Sequence, residues 1–193
     1  MTRSRSLFRT TTAALALALV AHGVHAAGSM SGQLNAQMVL QSGCIVTGAP
    51  GAGTTGINLG TLDFGTQPST FTGVLTATAS NGVAGAGATQ ITCSPDVLAM
   101  NITVGAGNNA GQGASVGTGS RAMKFGTSYL PYEVYSDAAM TTAYPTAATS
   151  LGVVLPGTGA AVGLPVFGRI NKTSSNALQP GTYTDVLQVT LAW

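Results

Sequence analysis

The sequence predicts an all-β protein, a β-sandwich of the immunoglobulin-like kind. Three observations carry that prediction. Short runs rich in Val, Ile, Thr and aromatic residues recur between turn signals such as Asn81-Gly82, Pro156-Gly157 and Pro180-Gly181. Charged residues make up only 6% of the 193 positions while Gly numbers 27, a composition poor in helix formers and rich in turns. No stretch carries a convincing apolar stripe at i, i+3, i+4, i+7.

At the N-terminus, Arg3, Arg5 and Arg9 precede an apolar run over residues 13–21, and Val24-His25-Ala26 follows, then Ala27. A basic, then apolar, then small-residue order is that of a secretory signal peptide, with cleavage expected after Ala26 and Ala27 as the second choice. The apolar run is about half of the ~20 residues a membrane-spanning helix needs, and no later segment approaches that length. Residues 27–193 are therefore expected to be exported with no membrane span.

Removing the leader changes the available chemistry. Three of the seven Lys and Arg lie in it, which leaves four basic against five acidic side chains, with no polybasic stretch to attract nucleic acid or acidic lipid. Both histidines, His22 and His25, leave as well. Without His there is no Ser-His or Cys-His nucleophile pair and no His-containing zinc set. The remaining acids are Asp63, Asp96, Glu133, Asp137 and Asp185. Glu133 and Asp137 are the only sequence-near pair, and on an extended strand they would stand ~13 Å apart, too far for a glycosidase pair. No enzyme activity, catalytic residue, metal or cofactor is expected.

In an exported chain the two cysteines, Cys44 and Cys93, read as a disulfide. Neither sits in a CxxC spacing or beside a cation that would activate a thiol.

The expected strands are 34–41, 45–47, 57–64, 71–79, 88–94, 98–104, 122–125, 129–135, 152–155, 163–169 and 182–193, with a polar, Gly-rich loop over 105–119. The length after cleavage suits one domain.

The two ends of the mature chain carry the functional signal. From Ser29 to Gln41 the even positions are Met30, Gly32, Leu34, Ala36, Met38 and Leu40, and the odd positions are polar except for Val39. Such alternation describes a long strand with one apolar face, unusual where the first residues of a chain are commonly untethered. It is either the first strand of the sandwich or a segment, 27–37, that inserts into another subunit by strand addition. At the other end Leu187, Val189, Leu191 and Trp193 alternate with Gln188, Thr190 and Ala192. A sandwich stopping there is expected to lack its closing strand and to leave an apolar groove beside an open edge.

Several strings together resemble the spore coat protein U domain, a family that includes the pilin subunits of archaic chaperone/usher pili. They are Gly60-Thr61-Leu62-Asp63-Phe64-Gly65, Ile91-Thr92-Cys93, Val134-Tyr135-Ser136-Asp137-Ala138-Ala139, Leu164-Pro165-Val166-Phe167-Gly168-Arg169-Ile170, and Gly181-Thr182-Tyr183-Thr184-Asp185 through Trp193. Met140 stands where the family often has a basic residue. The resemblance implies an incomplete immunoglobulin-like sandwich, missing its last strand and completed by donor-strand exchange. It implies a signal peptide 1–26, a donor strand 27–37 presenting Met30, Gly32, Leu34 and Ala36, and a pilin domain 38–193. The groove edge would run through Leu187, Val189, Leu191 and Trp193, whose carboxylate would anchor a chaperone, and Cys44–Cys93 would be the disulfide. The implied partners are further copies of the chain in a head-to-tail fibre, a periplasmic chaperone and an outer-membrane usher. The implied destination is the cell surface, as a fimbrium serving attachment and biofilm formation. A monomeric secreted or coat-forming sandwich and a minor tip adhesin are the alternatives.

Overall fold

The structure, a computed structural model, describes residues 28–49, 55–83, 85–147 and 149–193. The expected signal peptide and its cleavage point at Ala26 and Ala27 lie outside the described residues. Two units are distinguished, residues 1–39 and residues 40–193.

Among the described residues all regular structure is β. The strands are β1 (Cys44–Val46), β2 (Gly73–Thr78), β3 (Gln90–Cys93), β4 (Ala99–Val104), β5 (Gly117–Thr118), β6 (Arg121–Phe125), β7 (Ser128–Tyr135), β8 (Leu151–Val154), β9 (Val162–Gly163), β10 (Phe167–Lys172) and β11 (Val189–Ala192). They form three antiparallel sheets, β1-β3-β9, β2-β10-β7-β6 with β5 beside β10, and β11-β4-β8.

Side chains alternate across a strand, so each sheet turns one set inward. β4 buries Met100, Ile102 and Val104 while Ala99 and Asn101 face out. Cys44, Val46, Ile91 and Cys93 come inward from the first sheet, and Leu130, Tyr132, Val134 and Ile170 from the largest, so all three sheets share one core. Paired with β6 on one side and β10 on the other, β7 is buried nearly throughout. The Cys44–Cys93 disulfide spans directly opposed residues of β1 and β3 with Cα atoms 4.0 Å apart. Closing so long a loop stabilises a fold by roughly 4 kcal/mol in the chain-entropy model.

Four expected strands differ from the structure, and one of them, 182–193, is a strand only over β11 (Val189–Ala192). Residues 34–41 form no strand and are exposed. Alternation sets the two faces of a strand, but its main chain still needs a neighbour to bond, and among the described residues no strand pairs with it. Residues 57–64 contain only an isolated bridge between Thr61 and Ser80. Asn58 Oδ1 and Asp63 Oδ1 accept the N–H groups of Gly60 and Gly65, local turns that compete with a ladder. Gly60, at φ 120°, lies so close to Ser80 that a Cβ would stand 2.9 Å from its carbonyl oxygen. The run 163–169 is divided between β9 and β10 by Pro165, which lacks an N–H and whose carbonyl accepts the Tyr144 hydroxyl at 3.0 Å.

Candidate functional site

Two open edges border the core. β1 is the outermost strand of its sheet, paired only with β3, and β11 is the outermost strand of another, paired only with β4. Successive residues of an antiparallel strand direct their N–H and C=O groups to alternate sides. Ser94 N–H donates to Gly43 O at 2.8 Å and Thr47 N–H to Gln90 O at 2.9 Å, so the odd-numbered residues of β1 face β3. Cys44 and Val46 therefore turn their main-chain groups away from β3 while their side chains sit in the core, and the Val46 carbonyl on that side accepts Ala49 N–H at 2.9 Å.

β11 has the same phase. Gly105 N–H donates to Gln188 O at 2.8 Å, so even-numbered residues face β4. Leu187, Val189 and Leu191 present unpaired main-chain groups outward and half-buried side chains inward, packed on the core. The edges approach at one end, where a Cβ built on Gly43 would lie 3.8 Å from the indole Nε1 of Trp193. Each edge thus combines an apolar inner wall with main-chain groups turned away from its ladder, which is what an inserted strand requires.

The stretch before β11 explains why that edge is fixed in place. Gly181 lies against Phe125 so closely that a Cβ would fall 2.2 Å from the ring, so only glycine fits. Tyr183 packs on Phe125 with ring centroids 5.8 Å apart, and its hydroxyl donates to Gln179 O at 2.9 Å. Thr184 exchanges main-chain bonds with Lys124 of β6, and Gln188 already belongs to the ladder with β4. Between them the Asp185 carboxylate accepts Asn108 N–H and the Tyr132 hydroxyl, each at 2.9 Å. It holds the chain where it passes from one sheet to the other.

Arg121 is fully buried and paired with Glu133 at 2.7 Å. Its guanidinium also donates to the carbonyls of Val104, Gly105, Tyr144 and Pro145. Burial pulls the Arg121 pKa below its ordinary value, and Glu133 opposes that shift. The Tyr132 hydroxyl is pushed well above its usual range, by burial first and then by its bond to Asp185. Lys172, equally buried, donates to Ser174 O and Asn176 O. Sequence reasoning counted these cations without assigning them a place. Composition shows only that residues 27–193 hold four basic side chains and does not say which of them are buried.

Glu133 and Asp137 do not share a strand face. Asp137 lies beyond β7 in a turn, where the N–H groups of Thr141 and Thr142 hold its carboxylate below the usual range. Glu133 is committed to Ser120, Arg121 and the N–H of Val134. Met30, Gly32, Leu34 and Ala36 are exposed and outside any strand, and Trp193 is half-exposed. Among the described residues no helix is long and apolar enough to cross a membrane.

Comparison with known proteins adds a family. Among curated proteins nothing matches. Among solved structures, similarity is found to the CsuC–CsuE chaperone–tip adhesion subunit pre-assembly complex from the archaic chaperone-usher Csu pili of Acinetobacter baumannii, at 17% identity and a TM-score of 0.41, covering 80% of this chain and 40% of that one. The family model for the Spore Coat Protein U domain matches residues 30–190, from inside the unpaired N-terminal segment to within β11. The chain belongs to the Spore Coat Protein U domain family, whose members are structural, non-enzymatic proteins.

Proposed function

We propose that the protein is an exported pilus subunit that polymerises head-to-tail, residues 27–37 of one copy entering the groove between β1 and β11 of the next. The observation that carries this reading is the shared phase of the two edges. On both, the residues that line the core turn their main-chain groups away from the existing ladder, and of these the Val46 carbonyl is bonded to Ala49 N–H. One inserted strand would pair on both sides and close the core. The donor has the matching pattern, with Met30, Gly32, Leu34 and Ala36 on one face. Burying Met30 and Leu34 would contribute about 1.5–3 kcal/mol each, and every new main-chain bond about 0.5–1.5.

The contact is heterologous and does not close, so it gives a fibre and not a ring. Until a donor arrives, an open edge beside apolar surface is an aggregation hazard. A periplasmic chaperone would cover it and an outer-membrane usher would exchange that cover for the next subunit, delivering the fibre to the cell surface for attachment and biofilm formation. Relatives in the Spore Coat Protein U domain family and the Csu chaperone complex are consistent with this route.

The test is the mature chain, expressed in an oxidising periplasm with and without residues 27–37 and run on a denaturing gel before and after boiling. A heat-labile ladder given by the complete form and absent from the truncated form supports strand donation. If both forms run as folded monomers with no chaperone present, a self-contained secreted sandwich replaces the pilin reading.

A further inference from the structure

β8 is the outer strand opposite β11 in its sheet, and its residues face the other way. Among the described residues it pairs only with β4, and Leu155 N–H donates to Leu98 O at 2.8 Å, so the odd-numbered residues face the ladder. Gly152 and Val154 therefore direct their N–H and C=O groups to the open side, and both are exposed, Val154 at 86%. Where the inward phase of β1 and β11 suits a strand that completes a core, the outward phase of β8 suits one that extends a sheet.

Natural edges are commonly guarded by Lys, inward-pointing charge, proline or a bulge. β8 has none of these within it, and no Asp, Glu, Lys or Arg stands anywhere between Asp137 and Arg169. Its one protection is its length of four residues.

We propose that β8 is the lateral contact by which one assembled fibre binds a second, β8 pairing antiparallel with β8 of a copy in the neighbouring fibre. The inference rests on the polymer proposed above. Two considerations select that occupant. A four-residue edge buries far less than the ~1,200 Å² that a stable interface between free proteins needs, so a single partner gains little by docking there. A partner that repeats the contact many times gains by avidity, provided its spacing matches. A second fibre of the same subunit has the same repeat and the same uncharged edge, and an antiparallel pair of identical strands is self-complementary. An edge without charge gives a charged macromolecule nothing to recognise.

The experiment uses assembled fibres of the complete chain, wild type and Val154→Lys, with Gly152→Lys as a second variant. Gly152 tolerates a side chain, since an added Cβ would meet nothing nearer than Asn101 Oδ1 at 3.7 Å. Fibres are compared by electron microscopy and by low-speed sedimentation, at low salt and at about 1 M, where the screening length is ~3 Å. Wild-type fibres are expected in side-by-side bundles at both salt concentrations, and either variant as dispersed single fibres with an unchanged heat-labile ladder. Wild-type fibres that stay dispersed, bundles that survive both substitutions, or bundles that dissolve at high salt would overturn the β8 contact while leaving the ladder intact. Loss of the ladder in the wild type would instead overturn strand donation, and the lateral contact with it.

Discussion

Residues 29–41 and residues 183–192 carry the same kind of pattern, apolar and polar side chains in alternation, and reach different states. The C-terminal run is held at every stage, by Tyr183 on Phe125, Thr184 on Lys124, Asp185 on Asn108 and Tyr132, and the ladder with β4. Its odd-numbered side chains from Tyr183 to Leu191 are half-buried. The N-terminal run has no strand partner, and its apolar side chains are as exposed as its polar ones. Periodicity thus states which face a strand will bury once it has a neighbour; it does not supply the neighbour. The difference between the runs is the asymmetry a head-to-tail polymer requires, an unsatisfied strand at one end and an unsatisfied edge at the other.

The largest expected effect comes from breaking the phase of the first run while keeping its composition. Deleting Asn35 makes Leu34 and Ala36 adjacent, so Met30, Gly32 and Leu34 fall on the opposite face from Ala36 and Met38. The heat-labile ladder should disappear from the gel. Deleting Asn35 together with Ala36 restores the phase and should restore most of the ladder. A ladder insensitive to both deletions would mean that the segment's hydrophobicity matters and its alternation does not.

The contrast also shows how much of the molecule was legible. The positions of β4, β6, β7 and β8 match the expected runs between turns, and each of these strands has a paired neighbour, β4 with β8 and β6 with β7. The run 57–64 has equally good composition, yet Asn58 and Asp63 bond locally and Gly60 must pass against Ser80. The Cys44–Cys93 pairing followed from counting cysteines in an exported chain, and the structure contains it. Arg121, Lys172 and the Asp185 contacts were not legible, because their carbonyl and hydroxyl partners come from segments distant in sequence and carry no residue-type signature.

A smaller effect should follow from loosening the second run toward the condition of the first. Asp185→Ala leaves Asn108 N–H and the Tyr132 hydroxyl without their acceptor, which should cost about 2 kcal/mol and is read from the denaturant midpoint. Hydrogen exchange localises the change. Amides of Gln188, Thr190 and Ala192, which face β4, should lose protection, whereas those of residues 29–41 should exchange rapidly in wild-type and variant monomers alike. Equal losses across β2 and β10 would mean that Asp185 supports the whole fold and not this edge in particular.

The smallest difference between the regions is expected where neither takes part. Tyr144 is buried between β7 and the segment before β10, its N–H donating to Val134 O at 2.8 Å and its hydroxyl to Pro165 O. Burial pushes its pKa up from 10.0 to about 12. A raised folded-state value means the unfolded chain loses this proton first, so the stabilisation is complete below about pH 10 and is lost as pH rises toward about 12. Alkaline titration of folded monomers with and without residues 27–37 should give the same loss over that window, because the N-terminal run contains no tyrosine of its own. Tyr144→Phe should lessen the pH dependence equally in both forms, with Tyr132, whose hydroxyl pKa burial also raises, carrying part of the remainder, at the cost of leaving Pro165 O unbonded. A midpoint that moved with the truncation would show the N-terminal run to be packed on its own domain, and the two alternating segments would then differ in degree and not in kind.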